Sequence, residues 1–265
     1  MIRLLVVEVR RAFARRLVRV LVAVALLGII VIGIGAYSSS DPQSGQPFDA
    51  GDIWSGEEGE DSEDGNTLGQ TTFPFLLMAM LGGASMVGAE YKAGTLTPLL
   101  TWEPRRGRVI AAKLLAPAFV AGLLYALLQG VLLAVLLLVA ETAGSTEGID
   151  GDFAALVRGL LLRGSLLTAG CAALGGAVAF LGRNTSAALG AVLGYFVIVE
   201  RILQGLRPNW DRWFVAQNLF IVLSGHTESG FNFDRGVPAA AVLLLAYLAV
   251  VCVAAGFLFA RRDVA

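Results

Sequence analysis

The stretch GAEYKAGTLTPLLTWEPRRGRVIAAK, residues 88–113, lies between two strongly apolar runs and is too polar to cross a bilayer. It carries Glu90, then Gly94-Thr95-Leu96, Leu99-Leu100-Thr101, Trp102 and Pro104-Arg105-Arg106, and it closes on Lys113. Thr97 followed by Pro98 reads as a helix start, an N-cap with proline at the first helical position. Leu99, Leu100 and Trp102 give that short helix an apolar face, and Pro104 ends it. Arg105, Arg106 and Arg108 then meet the membrane surface. A short helix with an exposed apolar knob, hung between two spans, suits docking into a groove of a partner protein.

The runs on either side belong to a larger pattern. The chain has 265 residues, 56% of them hydrophobic and only 15% charged, against about 25% charged in a soluble domain. Apolar runs recur at 17–37, 71–89, 114–140, 155–181, 187–205 and 237–260, each matching a hydrocarbon layer of roughly 30 Å. The expected fold is an all-α integral membrane protein, one transmembrane domain over 1–265 with six spans. The first run is too long for a signal-peptide core and lacks a small-residue cleavage site, so it reads as a retained span.

Charge is sorted along this pattern. Arg3, Arg10, Arg11, Arg15, Arg16 and Arg19 precede or open the first span; Lys92, Arg105, Arg106, Arg108 and Lys113 lie between the second and third. Arg183 falls in the fourth-to-fifth turn, and Arg261 and Arg262 in the tail. With alternating spans all of these share one side, which the positive-inside rule makes cytoplasmic, both termini included. The opposite side holds the extracytoplasmic loop 38–70, whose part 41–66 has nine acidic residues and no Lys or Arg. Its composition is that of a flexible solvated loop, with cation collection as the alternative role.

Segment 1–16 is amphipathic. Ile2, Val6, Val9, Phe13 and Leu17 make one apolar stripe, while Glu8, Arg11, Arg15 and Arg19 line another face. Such a basic helix is expected on the inner membrane surface among anionic lipid headgroups, serving as a topology signal or as an arm that contacts a partner. Segment 206–236 has an apolar part, residues 213–223, too short to cross, which reads as a re-entrant or interfacial piece on the outer face. Trp210, Trp213, Phe214 and Phe220 suit the headgroup level. The only histidine, His226, falls here, and a lone histidine makes no metal site.

Several chemistries are missing. The only lysines, Lys92 and Lys113, follow Tyr91 and Ala112, so no GxxxxGK[ST] nucleotide loop exists. No HExxH, CxxC or GxSxG occurs. Cys171 and Cys252 sit inside apolar runs and read as small hydrophobes. An enzyme is disfavoured.

The order of features resembles the permease subunit of a type-2 ATP-binding-cassette (ABC) export system. These are an amphipathic N-terminal helix, a span, an outer loop, a span ending at Glu90, Gly94-Thr95-Leu96, Leu99-Leu100-Thr101, Pro104-Arg105-Arg106 and Lys113 opening the third span. Trp102-Glu103 stands where that family often has small residues. The resemblance implies that the loop 90–108 is a coupling helix driven by a separate cytoplasmic ATPase subunit, which holds the ATP and Mg. This chain then needs no cofactor of its own. It further implies a pair of permease halves, a second copy or a homologue, embedded in lipid of the cell membrane, with no role for nucleic acid. The cargo is expected to be amphiphilic, drug-like or lipid-like. A scaffold or signalling subunit coupled to an ATPase without transport is the alternative, and an ion-driven secondary transporter a third.

Within the membrane, the ionisable residues are chiefly Arg163, Glu200 and Arg201. Counting rise along antiparallel fourth and fifth spans brings Glu200 and Arg163 within side-chain reach, predicting an ion pair between them. Gly190 and Gly194 form a GxxxG in the fifth span, either a dimer seam or packing within one subunit.

Overall fold

Six helices in the computed structural model are long and apolar enough to cross a membrane. The structure describes residues 2–40, 48–54, 67–225 and 233–261. His226, Arg262 and most of the acidic loop lie outside the described residues. Among those described there is no strand, and the chain is an all-helical, multi-pass membrane protein.

The elements run in chain order as α1 (Ile2–Ala14), α2 (Arg16–Ser39), α3 (Ala50–Trp54), α4 (Thr67–Ala93), α5 (Leu96–Trp102) and α6 (Arg106–Ala143). They continue as α7 (Gly151–Gly182), α8 (Thr185–Gly194), α9 (Glu200–Leu206), α10 (Val215–Ser224) and α11 (Val237–Arg261). A π-helical stretch, Tyr195–Val199, joins α8 to α9 within one span, and a 3-10 turn, Pro208–Trp213, leads into α10. The spans are α2, α4, α6, α7, α8–α9 and α11. α6 is the longest; its 38 residues extend about 57 Å, well beyond the hydrocarbon layer of roughly 30 Å.

α4 and α7 form the central pair. Small residues bring them together: a Cβ on Gly83 would run into the Ala172 carbonyl, and one on Gly175 into that of Met80. Without a hydrophobic drive between helices in lipid, such close approach and its dispersion contacts supply the association. α6 packs against both. A buried polar group ties α6 to α4 where Pro74 interrupts the latter's ladder. Tyr125 and Thr72 share a hydroxyl bond of 2.8 Å, and Gln129 Nε2 donates to the Leu68 carbonyl (3.2 Å) and to Thr71 Oγ1 (3.0 Å).

Two peripheral elements depart from the sequence reading. The charged face of α1 is split, Arg11 staying exposed while Glu8 turns inward. Glu8 and Ala12 are buried and Arg15 is half-buried against α4 and α6, whereas Val6 and Phe13 of the apolar stripe point outward. Val9 of the same stripe packs inward beside Ala12. The outer loop is also not uniformly a solvated tether. Phe48, Ile53 and Trp54 are buried in the core formed by the start of α4, the C-terminal half of α6 and the start of α7. Asp49 and Asp52 start α3 reciprocally: Asp49 Oδ1 accepts from Gly51 N (2.7 Å), and Asp49 N donates to Asp52 Oδ2 (3.0 Å).

Candidate functional site

The stretch 88–113 folds as a mount and a knob. α4 ends beyond Glu90, and Gly94 takes a left-handed turn at φ +65° that a side chain would resist. α5 begins at Leu96, earlier than the Thr97-Pro98 pair predicts. Thr95 occupies the cap position without a side-chain bond, and Pro98 falls third in the helix, where a missing N–H costs nothing because first-turn donors have no intrahelical acceptor. Leu96 is 1% exposed. Leu99 and Leu100 are partly buried and pack against the core cluster that holds Val109 and Phe180. Trp102 is 89% exposed. Pro104 and Arg105 are exposed as well. Arg106 turns back: its Nη1 donates to the carbonyls of Phe259 (2.9 Å) and Ala260 (3.0 Å), satisfying the last turn of α11.

Beneath this mount is a cluster of buried charge. Lys113 Nζ, on α6, is 3.2 Å from Glu8 Oε1 on α1 and 2.5 Å from Glu90 Oε2 on α4. Arg15 lies 4.0 Å from Glu90, and its two Nη atoms donate to the carbonyls of Ser85 (2.9 Å) and Met86 (3.1 Å). Arg11 adds a 3.1 Å contact to Glu8 from the exposed side. Two carboxylates thus meet Lys113 and Arg15 in a balanced set, as burial of charge demands. The set fastens α1, the end of α4 and the start of α6 to one another. Glu90 and Lys113 are legible as motif residues. Glu8 reads from sequence as part of a solvated face, because periodicity cannot say which face of an amphipathic helix the protein takes.

The expected Glu200–Arg163 pair is not formed. Glu200, 2% exposed, accepts from the Ala216 N–H at 2.9 Å. Arg163 Nε and Nη2 donate to the carbonyls of Leu223 and Ser224, each at 3.2 Å. The two charges therefore hold opposite ends of α10, the carboxylate at its N-terminus and the guanidinium at its C-terminus. That is the arrangement its macrodipole favours. Gly225 follows at φ +91° and packs on the Arg163 guanidinium, leaving no room for a Cβ. Distances along two spans could not reveal this, since α10 stands between them. The segment containing it is anchored further. Buried Asn218 accepts from Arg235 Nη1 (3.1 Å), and Tyr247 donates to the Trp213 carbonyl (3.1 Å).

A Cβ on Gly190 or Gly194 would meet nothing within 4 Å, unlike one on Gly83 or Gly175. Close glycine packing within the subunit is found elsewhere, at Gly83 and Gly175 between α4 and α7 and at Gly88 against Thr185 at the start of α8, and the face of α8 that carries Gly190 and Gly194 is open.

No curated protein matches the chain. A family model does match, over residues 63–265, taking in every element from α4 to α11. The chain belongs to that family, which is described as protein of unknown function DUF2705.

Proposed function

We propose that the chain is the permease subunit of an ABC export system, and that α5 receives motion from a separate cytoplasmic ATPase subunit. The observation that carries this reading is the knob on its mount. A fully exposed tryptophan tips a helix whose base is buried through Leu96 and whose flanking spans are joined through Lys113, Glu8 and Glu90. A displacement applied at Trp102 has a stiff path into α1, α4 and α6 together. The open α8 face with Gly190 and Gly194 then serves contact with a second permease half. The cargo is amphiphilic, and the nucleotide and its Mg stay on the partner. An ion-driven carrier has less support, because Glu200 and Arg163 are engaged in holding α10.

The test co-expresses the chain with an ABC ATPase from a neighbouring reading frame and purifies the two together. Trp102→Ala removes an aromatic anchor of the kind that contributes about 1–4 kcal/mol, so ATPase recovery falls at least about fivefold while the permease stays in the membrane with its melting temperature unchanged. Leu99 and Leu100 substitutions lower stability instead. Undiminished ATPase recovery with Trp102→Ala rejects the coupling role.

A further inference from the structure

Small residues draw α6 and α7 together midway along both helices. A Cβ on Gly122 would press on the Ser165 carbonyl at 3.0 Å, and one on Gly164 would strike the Tyr125 hydroxyl. From this seam toward the loop that joins the two helices runs a groove with a cavity volume of about 470 Å³, within the roughly 300–1,000 Å³ of small-molecule sites. Its apolar walls are Leu133 and Leu137 of α6 and Phe153, Val157, Leu161 and Leu162 of α7. Ala154 and Leu162 on its rim are exposed, so the groove opens sideways. From Ala126 to Leu137 it follows α6 for about 16 Å. That is half of a hydrocarbon layer of roughly 30 Å, the reach of a chain from one leaflet. Arg158 also lines the groove. It lies about 10 Å along α7 from Gly151, inside the apolar run, where an arginine is costly unless it finds a partner. It is exposed and makes no hydrogen bond or ion pair among the described residues, whereas Arg163 on the same helix has its carbonyls. At the mouth the sign reverses. Asp150 lines the groove there, with Glu147 and Asp152 near it in the chain, all three exposed. Asp150 Oδ1 caps α7 by accepting from the N–H groups of Asp152 and Phe153, each at 3.0 Å.

We infer that this groove binds one zwitterionic phospholipid from the leaflet on the side of the α6–α7 loop, with an acyl chain along the leucines, the phosphate at Arg158 and the headgroup ammonium at Asp150. The order of groups along the groove is the order along such a lipid: apolar chain, then anion, then cation at the water surface. The guanidinium presents planar donors that match phosphate oxygens. Positions 158 and 150 are about 12 Å apart along the helix, and an arginine side chain shortens that step by leaning toward the mouth. A net-anionic headgroup makes the same phosphate contact, yet it meets the carboxylates of Asp150, Asp152 and Glu147 with no cation to offer, so the mouth discriminates against it. The inference stands on the membrane span and this geometry, and it does not depend on an ATPase partner.

The full chain is reconstituted in vesicles of equal parts phosphatidylethanolamine and phosphatidylglycerol with matched acyl chains, extracted in mild detergent and weighed by native mass spectrometry. The wild type retains one phosphatidylethanolamine per chain. Arg158→Gln lowers that occupancy roughly fivefold, the contribution of one arginine at a lipid headgroup. Asp150→Asn keeps the cap, since asparagine serves there as well as aspartate, and removes the preference for phosphatidylethanolamine over phosphatidylglycerol. Ala154→Phe, on the exposed rim, fills the groove and lowers retention of both lipids. Circular dichroism checks that helix content is unchanged in all three. Should a variant fail to fold, a phosphatidylethanolamine carrying a diazirine in its acyl chain decides with the wild type alone. Cross-links centred on Leu133, Leu161 and Leu162 support the site, and cross-links spread over α11 at Val242 and Val250 overturn it. Wild-type retention of phosphatidylglycerol equal to or above that of phosphatidylethanolamine overturns it as well, as does full occupancy in Arg158→Gln or Ala154→Phe, or an unchanged preference in Asp150→Asn.

Discussion

Lys113 is 3% exposed and stands between two carboxylates that are themselves buried. Its ammonium has no water to fall back on, and neither have Glu8 and Glu90. Removing one partner from a buried ion set costs about 3–5 kcal/mol, because the charges left behind lose their compensation, whereas removing charge on both sides is far milder. Lys113→Met therefore lowers the thermal midpoint of the detergent-solubilised protein, followed by loss of helical circular dichroism. Adding Glu8→Gln to Lys113→Met restores part of the loss. A Lys113→Met variant that melts with the wild type shows that the cluster holds nothing together. The residues of this cluster are only half legible in the sequence. Glu90 and Lys113 stand out as charges at the edges of apolar runs. Glu8 looks like any other member of a basic amphipathic face, and its burial follows from where α4 and α6 end, which no local pattern encodes.

At the scale of elements, the informative case is α10. Its ten residues are too few to be stable alone in water, and it owes its position to contacts at both ends. Two accounts of Glu200 and Arg163 differ in their double-variant behaviour. A direct pair predicts that Arg163→Met partly rescues Glu200→Gln. Holding opposite ends of one helix predicts no rescue: each single variant loosens α10, and the double variant is no more stable than the worse single one. Thermal melts of the three proteins check this, and a double variant more stable than either single one refutes the two-ended hold. The six spans are readable because runs of apolar residues match bilayer thickness, and the helices extend beyond those runs by up to about two turns, as in α6. α3 has no counterpart in the periodicity, yet Phe48, Ile53 and Trp54 are the apolar exceptions in an acidic loop, and Asp49-x-x-Asp52 is a helix-start pattern. Small-residue seams are legible as a property but not as an address. A GxxxG marks a face fit for close approach, and only the three-dimensional arrangement tells Gly83 and Gly175, which use it, from Gly190 and Gly194, which leave it open.

For the molecule as a whole, the positive-inside rule predicts the orientation from where arginine and lysine gather. The α5 end carries Lys92, Arg105 and Arg108, whereas the last turn of α6 carries Glu141 and the loop between α6 and α7 carries Glu147 and Asp150. In a background lacking Cys171 and Cys252, a cysteine at Glu147 reacts with an impermeant maleimide added to intact cells, and one at Gly107 reacts only after the cells are opened. The reverse labelling pattern inverts the assignment and places α5 outside, where no ATP-hydrolysing partner could reach it.

α6 has one soft joint. Pro117 has no N–H to give the carbonyl of Lys113 one turn before it, so the rod's bending stiffness is lowest just beyond the residue that binds α1 and α4. The inner arm, from Arg106 to this joint, is about 16 Å long, and the outer arm about 39 Å. A rod of that kind transmits torque poorly past its joint. On the proposed coupling role, motion entering at the α5 end carries the arm before Pro117 along with α1 and α4 and bends α6 at the joint, which spin labels at Arg108 and Leu138 register as a shortened separation. Since Pro117 also lines an apolar crevice between α2, α4 and α6, flexing α6 at this joint changes the width of that crevice.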